Sequence, residues 1–270
     1  MTISPSRAWP LFRLIVAALV LTVGVAAADA GKVLRRGNGS EPYSLDPHRT
    51  TGVWESHIIG DMLVGLYTED VNAQPIFGAA ESATTSEDGL TWTFKIRPHT
   101  WSDGTPVSAE DFVFAYRRIL DPKTAAQYAN VLYPIKNAQK VNKGALPVAQ
   151  LGVRAADAST LVIELENPAP YLPQLLTHHT ATPLPRALVQ KVGNDWTKPG
   201  KMVSNGPYVL TEWRPHDHVK LVKNAKFYDA ANVKIDEIFF YPIEDDLAAL
   251  KRYRAGELDT NERWPLTEHK

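Results

Sequence analysis

Thr91 to Pro122 reads TWTFKIRPHTWSDGTPVSAEDFVFAYRRILDP, which parses as a strand, a turn, a capped helix and a stop. From Thr91 to Arg97 the side chains alternate, with Trp92, Phe94 and Ile96 on one face and Thr91, Thr93, Lys95 and Arg97 on the other. That period of two belongs to a half-buried strand. Pro98 has no N–H for a ladder and closes it, and Ser102-Asp103-Gly104 with Thr105-Pro106 supplies turn residues. Ser108 then stands as an N-cap ahead of Glu110 and Asp111, acids that the amide-rich end of a helix favours. A helix is expected from Ala109 to about Leu120, with Phe112, Val113, Tyr116, Ile119 and Leu120 on its apolar face. Asp121-Pro122 ends it, because the residue before a proline is pushed out of helical geometry.

Outward from this unit, the chain has the composition of a folded protein. Its 270 residues are 44% hydrophobic and 22% charged, enough for one large domain or two smaller ones. Twenty-nine Lys and Arg against 30 Asp and Glu leave a net charge of -1, which gives no global field for nucleic acid or an anionic membrane. With no cysteine there is no disulfide framework, thiolate metal site, cysteine nucleophile or lipid-modified N-terminal cysteine. Arg7 and Arg13 precede an apolar run from Leu14 to Ala28, followed by Ala28-Asp29-Ala30. Residues 1–30 therefore read as a removed signal peptide, cut after Ala30 or just before it, and the run is short for a membrane span. A periplasmic product without a membrane anchor is expected.

Val33-Leu34 opens a short strand, and Gly37 to Pro42 is a turn-rich break. Thr51 to Tyr67 carries a helical pattern, with Trp54, Ile58, Met62 and Leu66 spaced by fours. Pro75 to Ala80 reads as a loop, Thr124 to Leu132 as a weaker helix, and Val141 to Ala149 as a polar link. Leu151-Gly152-Val153 and Thr160 to Leu165 read as paired strands, the second with Leu161, Ile163 and Leu165 against Val162, Glu164 and Glu166. Prolines punctuate 168–185, and a boundary is expected near Leu184. Beyond it come a short helix from Arg186 to Val192, strands at Tyr208–Leu210, His218–Val222 and Glu237–Tyr241 in an antiparallel or mixed sheet, and a helix from Asp245 to Ala255. No terminal element is evident after Asn261.

Catalytic motifs are sparse. The chain has no Gly-x-Ser-x-Gly elbow and no glycine-rich phosphate cradle. His216-x-His218 would put two imidazoles on one face of a strand, the start of a metal site and of a metal-dependent periplasmic enzyme, but no third ligand accompanies it. The acid pairs Glu110-Asp111 and Asp245-Asp246 are accounted for by helix-start electrostatics. Seven tryptophans and ten tyrosines would suit a cleft that encloses a ligand. The residues alone give an exported two-part α/β protein in which binding is favoured over catalysis.

Ala80-Glu81-Ser82, Leu90 to Arg97, Trp101 to Val107 and Ala109 to Val113 resemble the signature of the family 5 extracellular solute-binding proteins, which bind oligopeptides, dipeptides or nickel. Gly37 to Pro42 with Ser44-Leu45-Asp46-Pro47-His48, Ser204-Asn205-Gly206, and Arg252 to Asp259 are similar to its oligopeptide and murein-peptide branch. The resemblance implies a class II periplasmic-binding-protein fold with mixed sheets, in which a first lobe (31–63 plus 186–270) carries an inserted smaller domain (64–185). It implies a monomeric binding component that delivers extended oligopeptides to an inner-membrane ABC permease complex, with no cofactor. Dipeptides, murein peptides or nickel are the alternative ligands, and a chaperone-like role for an exposed half-cleft is another. By the same resemblance the ligand main chain pairs with Thr51, Gly52 and Val53, while Tyr128, His178, Asn261 and Glu262 line the cleft. Backbone pairing of this kind gives affinity without reading side chains. Thr51 departs from the family, whose closest members carry an acid there. Members continue for roughly as long again, so a truncated member lacking the second lobe, with half a cleft that cannot close, is the expectation.

Overall fold

A computed structural model describes residues 31–265 together with Met1; the signal-peptide reading of residues 1–30 falls outside the described residues. Eleven strands and six α-helices follow in order: β1 (Val33–Gly37), α1 (Val53–Met62), β2 (Tyr67–Glu69), β3 (Pro75–Phe77), β4 (Ala80–Thr85), β5 (Thr91–Ile96), α2 (Ala109–Leu120), α3 (Ala138–Asn142), β6 (Val153–Asp157), β7 (Thr160–Glu164), α4 (Leu172–Leu175), α5 (Arg186–Val192), β8 (Tyr208–Arg214), β9 (His218–Lys223), β10 (Glu237–Tyr241), α6 (Asp246–Arg254) and β11 (Thr260–Asn261).

The strand and helix of the 91–122 unit form as their pattern requires. β5 lies between β4 and β7 in a four-stranded antiparallel sheet of order β4-β5-β7-β6, with Phe94 opposite Ala83 on one side and Leu161 on the other. Phe94, Ile96, Leu161 and Ile163 are buried, and α2 covers β6 and β7 with Phe112, Val113, Tyr116 and Ile119. Burying each of these aromatic or branched side chains contributes roughly 1.5–3 kcal/mol. Ser108 begins α2 with its N–H donating to Asp111 Oδ2 at 2.9 Å, and Asp121 leaves helical geometry at φ -67°, ψ 123° ahead of Pro122. Val162, expected on the wet face with Glu164, is buried as well.

The second sheet has the order β11-β1-β10-β9-β8 and is mixed: β1 runs parallel to β10 and β11, whereas β8, β9 and β10 alternate. Strands from the two ends of the described chain thus share one sheet. A small hairpin, β2–β3, lies between the sheets in sequence.

Four expectations need correcting. The helix expected over 51–67 stops at Met62, because Asn205 takes the Val64 amide at 3.0 Å and returns its own Nδ2 to the Val64 carbonyl at 2.9 Å. Residues 75–80 are not a loop but β3 and the start of β4. Residues 124–132 split into 3-10 turns at Pro122–Thr124 and Ala129–Leu132, separated by Ala125 at φ 53°. Finally, Thr260–Asn261 forms an edge strand on β1. Among the described residues no helix is long and apolar enough to cross a membrane.

Candidate functional site

The loop before α1 is pinned from beneath. Asp46 receives Arg118 Nη1 at 3.0 Å and Nη2 at 2.5 Å, the His48 amide at 3.0 Å and Trp196 Nε1 at 3.4 Å. Burial would raise its carboxyl, yet the Arg118 hydrogen bonds and nearby charge hold it below the usual carboxylate value. Arg118 Nη1 also donates to His48 Nδ1 at 2.9 Å, and burial pushes this imidazole down to about 3, so it is neutral. Asp46-Pro47-His48 is therefore a structural anchor joining the loop to α2.

From this anchor the chain emerges. Thr50 is buried, Thr51 is exposed, Gly52 is extended at φ -85°, ψ 149°, and Val53 is 52% exposed. The Thr51 carbonyl accepts from Tyr128 Oη at 3.3 Å, and the Gly52 carbonyl from Ser56 Oγ at 3.1 Å. The backbone N–H groups of Thr51, Gly52 and Val53 meet no acceptor among the described residues. Gly52 is extended and Val53 already opens α1, so the Gly52 and Val53 donors are the open N–H groups of a helix start, exposed to the carbonyls of an incoming extended chain. A Cβ at Gly52 would overlap Glu55 Oε2 and the Trp54 ring, so a larger residue there would have to displace those two side chains.

Two clusters surround this loop. In the first, Tyr128 meets His178 edge-on with centroids 5.2 Å apart, and His178 lies against His179 at 4.3 Å. His179 is fixed by Ser56 Oγ, 3.2 Å from its Nδ1, and Thr50 Oγ1, 3.4 Å from its Nε2. Burial lowers His178, and burial with the neighbouring His178 takes His179 to about 3, so the cluster is aromatic and uncharged. In the second, Asn261 pairs with Gly37 in the β1–β11 ladder, and the Glu262 amide donates to the Gly37 carbonyl at 3.2 Å. His57 Nδ1 donates to Asn38 Oδ1 at 3.1 Å and lies 3.7 Å from Glu262 Oε2. Burial, then Arg36, pushes His57 down to about 4, so Glu262 faces a neutral imidazole at neutral pH.

The structure brings Thr51, Gly52, Tyr128 and His178 into one contiguous group. Glu262 approaches it through Gly39, which has both Glu262 Oε2 and the Trp54 ring beside it, the same ring that lies against Gly52, whereas Asn261 lies at Gly37. Val53 is the exposed first residue of α1. Asn38, Trp54, His57, Arg118 and His179 were not singled out as site residues by sequence; only the position of Asn38 beside Gly37 and of His179 beside His178 gave any signal. His216 and His218 do not share a strand face: His216 sits in the β8–β9 turn at φ 63°, and His218 opens β9 against Phe239, at 5.2 Å. Among the described residues no group of three or more His, Asp and Glu is placed to hold a metal ion.

Comparison with known proteins gives consistent results. The model of the bacterial extracellular solute-binding proteins, family 5 Middle, matches residues 74–269. The periplasmic oligopeptide-binding protein OppA of Escherichia coli K12 is 40% identical over 247 residues, which is 90% of this chain and 45% of OppA. The periplasmic murein peptide-binding protein MppA of the same strain is 39% identical over 228 residues, 83% of this chain and 42% of MppA. The crystal structure of Haemophilus influenzae OppA in complex with RPPGFSPFR matches with a TM-score of 0.87 at 40% identity, covering 89% of this chain and 48% of that one. The chain thus has the fold of the periplasmic binding proteins and spans about half the length of the curated relatives it matches.

Proposed function

The chain belongs to family 5 of the bacterial extracellular solute-binding proteins, and from that premise we propose that it is an oligopeptide-binding component of an ABC importer. It would act as a monomer in the periplasm, without a cofactor, after removal of residues 1–30. The relatives named above are binding proteins rather than enzymes. The observation that supports the reading is the set of unpaired N–H groups at Thr51, Gly52 and Val53 beside the Tyr128–His178 pair, with Tyr128 Oη bonded to the Thr51 carbonyl. An extended peptide laid on these groups bonds through its own carbonyls, whatever its side chains. The inserted domain would comprise residues 64–185, a division supported by the separate sheet that β4 to β7 form within it.

The test is titration calorimetry with two- to five-residue peptides, murein tripeptide included, on the parent chain and on Val53→Pro. Position 53 is the first residue of α1, where proline fits well, and Gly52 already has the extended geometry that a following proline demands. Proline removes only the donor. Peptide binding is expected to weaken at least about tenfold, with the melting temperature unchanged within about 2 °C. Binding that survives the substitution intact would rule out backbone pairing at this residue.

A further inference from the structure

A cleft of about 370 Å³ opens between α2 and α5 and shares no lining residue with the Thr51–Val53 loop. Val113, Phe114 and Val148 give it an apolar wall, and Arg117, Arg118 and Arg186 bring three guanidinium groups to it. Their commitments differ. Arg118 is spent on Asp46 and His48. Arg186 has Glu110 at 3.8 Å, with both side chains 47% exposed, a pair that contributes little. Arg117 has nothing: its guanidinium makes no hydrogen bond or ion pair with any described residue, and its Nε is shut off from solvent. Asp121, the residue just beyond α2 and also at the cleft, uses Oδ1 to accept the Lys123 amide.

Arg117 is half-buried with only its Nε closed off, so its terminal nitrogens stand without a protein acceptor, and the planar fork of arginine is best satisfied by a planar two-oxygen anion. An apolar wall with a convergent charged group, at this volume, has the make-up of a small-molecule pocket. We propose that the cleft binds a small organic carboxylate, held in a two-point contact by Arg117. Arg186 shifts from Glu110 to assist, and the hydrocarbon part packs on Val113, Phe114 and Val148. This site is independent of the peptide reading and would operate whether or not that reading holds.

Benzoate is the probe, benzamide its neutral isostere and inorganic phosphate an anion without hydrocarbon. Calorimetry and saturation-transfer NMR on the purified chain are expected to show saturable millimolar benzoate binding, with benzamide and phosphate each at least about tenfold weaker. Arg117→Met is expected to weaken benzoate about tenfold or more, Arg117→Lys less, and both without moving the denaturation midpoint. Val148→Glu, a charge placed in the apolar wall from a different element, is expected to abolish benzoate binding even if a change on α2 disturbs the helix. Equal binding of benzoate and benzamide, phosphate as tight as benzoate, no benzoate binding to folded protein, or an unaffected Arg117→Met variant would each overturn the assignment.

Discussion

Replacing Arg118 by methionine removes both donors that hold Asp46, at 3.0 and 2.5 Å, and leaves a carboxylate whose side chain is only 5% exposed. Its remaining partners are the His48 amide at 3.0 Å and Trp196 Nε1 at 3.4 Å. Breaking a buried pair from one side costs about 3–5 kcal/mol. Arg118 itself is 14% exposed, so the lower end, about 3 kcal/mol, is the expectation for Arg118→Met. At roughly 2–4 °C per kcal/mol for a unit of this size, the melting temperature should fall by about 6–12 °C. Asp46→Asn keeps the shape and leaves a cation that can turn toward solvent, and should cost about 2 kcal/mol. The Asp46→Leu, Arg118→Met double variant should cost less than the sum of its single changes by more than about 1 kcal/mol. The pH dependence carries a sign. In the parent the folded carboxyl lies below 3.8, so the pair contributes stability above 3.8 that is lost as pH falls through the folded value. Without Arg118, burial, the largest influence on this carboxyl, is opposed only by His48 and Trp196, so the folded carboxyl rises and the deficit of Arg118→Met shrinks on acidification. Urea denaturation at pH 7 and pH 4.5 reads both effects. A cost below about 1 kcal/mol at pH 7, strict additivity, or a deficit that grows in acid would refute the reasoning.

Three buried or half-buried imidazoles, His48 and His179 held to about 3 and His57 to about 4, lie below the ordinary 6.5, so they contribute stability above pH 6.5 that is lost as pH falls toward their folded values. Asp61, raised by burial to about 6, opposes them between about 6 and 3.8 by favouring the folded state as it protonates. With His99 and His178 also lowered by burial, unfolding near pH 5 should therefore take up at least about two protons, and stability should drop by on the order of 3 kcal/mol or more per pH unit; a melting temperature flat from pH 6.5 to 4.5 would contradict this. Gly206→Ala would place its Cβ 2.7 Å from the backbone carbon and oxygen of Met62, which cannot yield as a side-chain tip can. A loss of about 2 kcal/mol or more is expected in chemical denaturation, and a neutral result would mean that the end of α1 can shift away from Asn205.

Sequence reading succeeded where one segment carries its own pattern. β5, α2, α5 and β10 fell within a residue of their bounds because alternation, three-and-four spacing, caps and prolines act locally. It failed where a distant partner decides. Leu66 continues the apolar fours of α1, and partners distant in sequence, Asn205 on Val64, 141 positions away, and the 78–80 amides on Gly65 and Leu66, convert the stretch to extended chain. β4 reads Ala-Glu-Ser-Ala-Thr-Thr and lies at a sheet edge with its polar residues exposed, so no hydrophobic period betrays it. The site divides in the same way. Thr51 to Val53, Tyr128, His178 and Asn261–Glu262 came from family resemblance, not from any local signal. The fastening of Asp46 by Arg118, 72 positions away, and the clamping of His179 by Thr50 and Ser56 depend on tertiary pairing that no spacing in the chain announces.

The placement of β1 between β10 and β11 bears on the order in which the chain can be assembled. The Lys32 amide is satisfied by Asp236 across 204 positions, and every ladder partner of β1 lies still further along. Closing so long a loop is slow compared with forming α2 on its hairpin-connected strands. While the segment 80–165 folds on contacts of its own, β1 waits as an unpaired strand, and nothing can complete its sheet until Tyr241 has been made. The nascent protein therefore carries an open sheet edge for most of its synthesis, and a factor that shields extended, unpaired backbone has its longest opportunity at Val33 to Gly37.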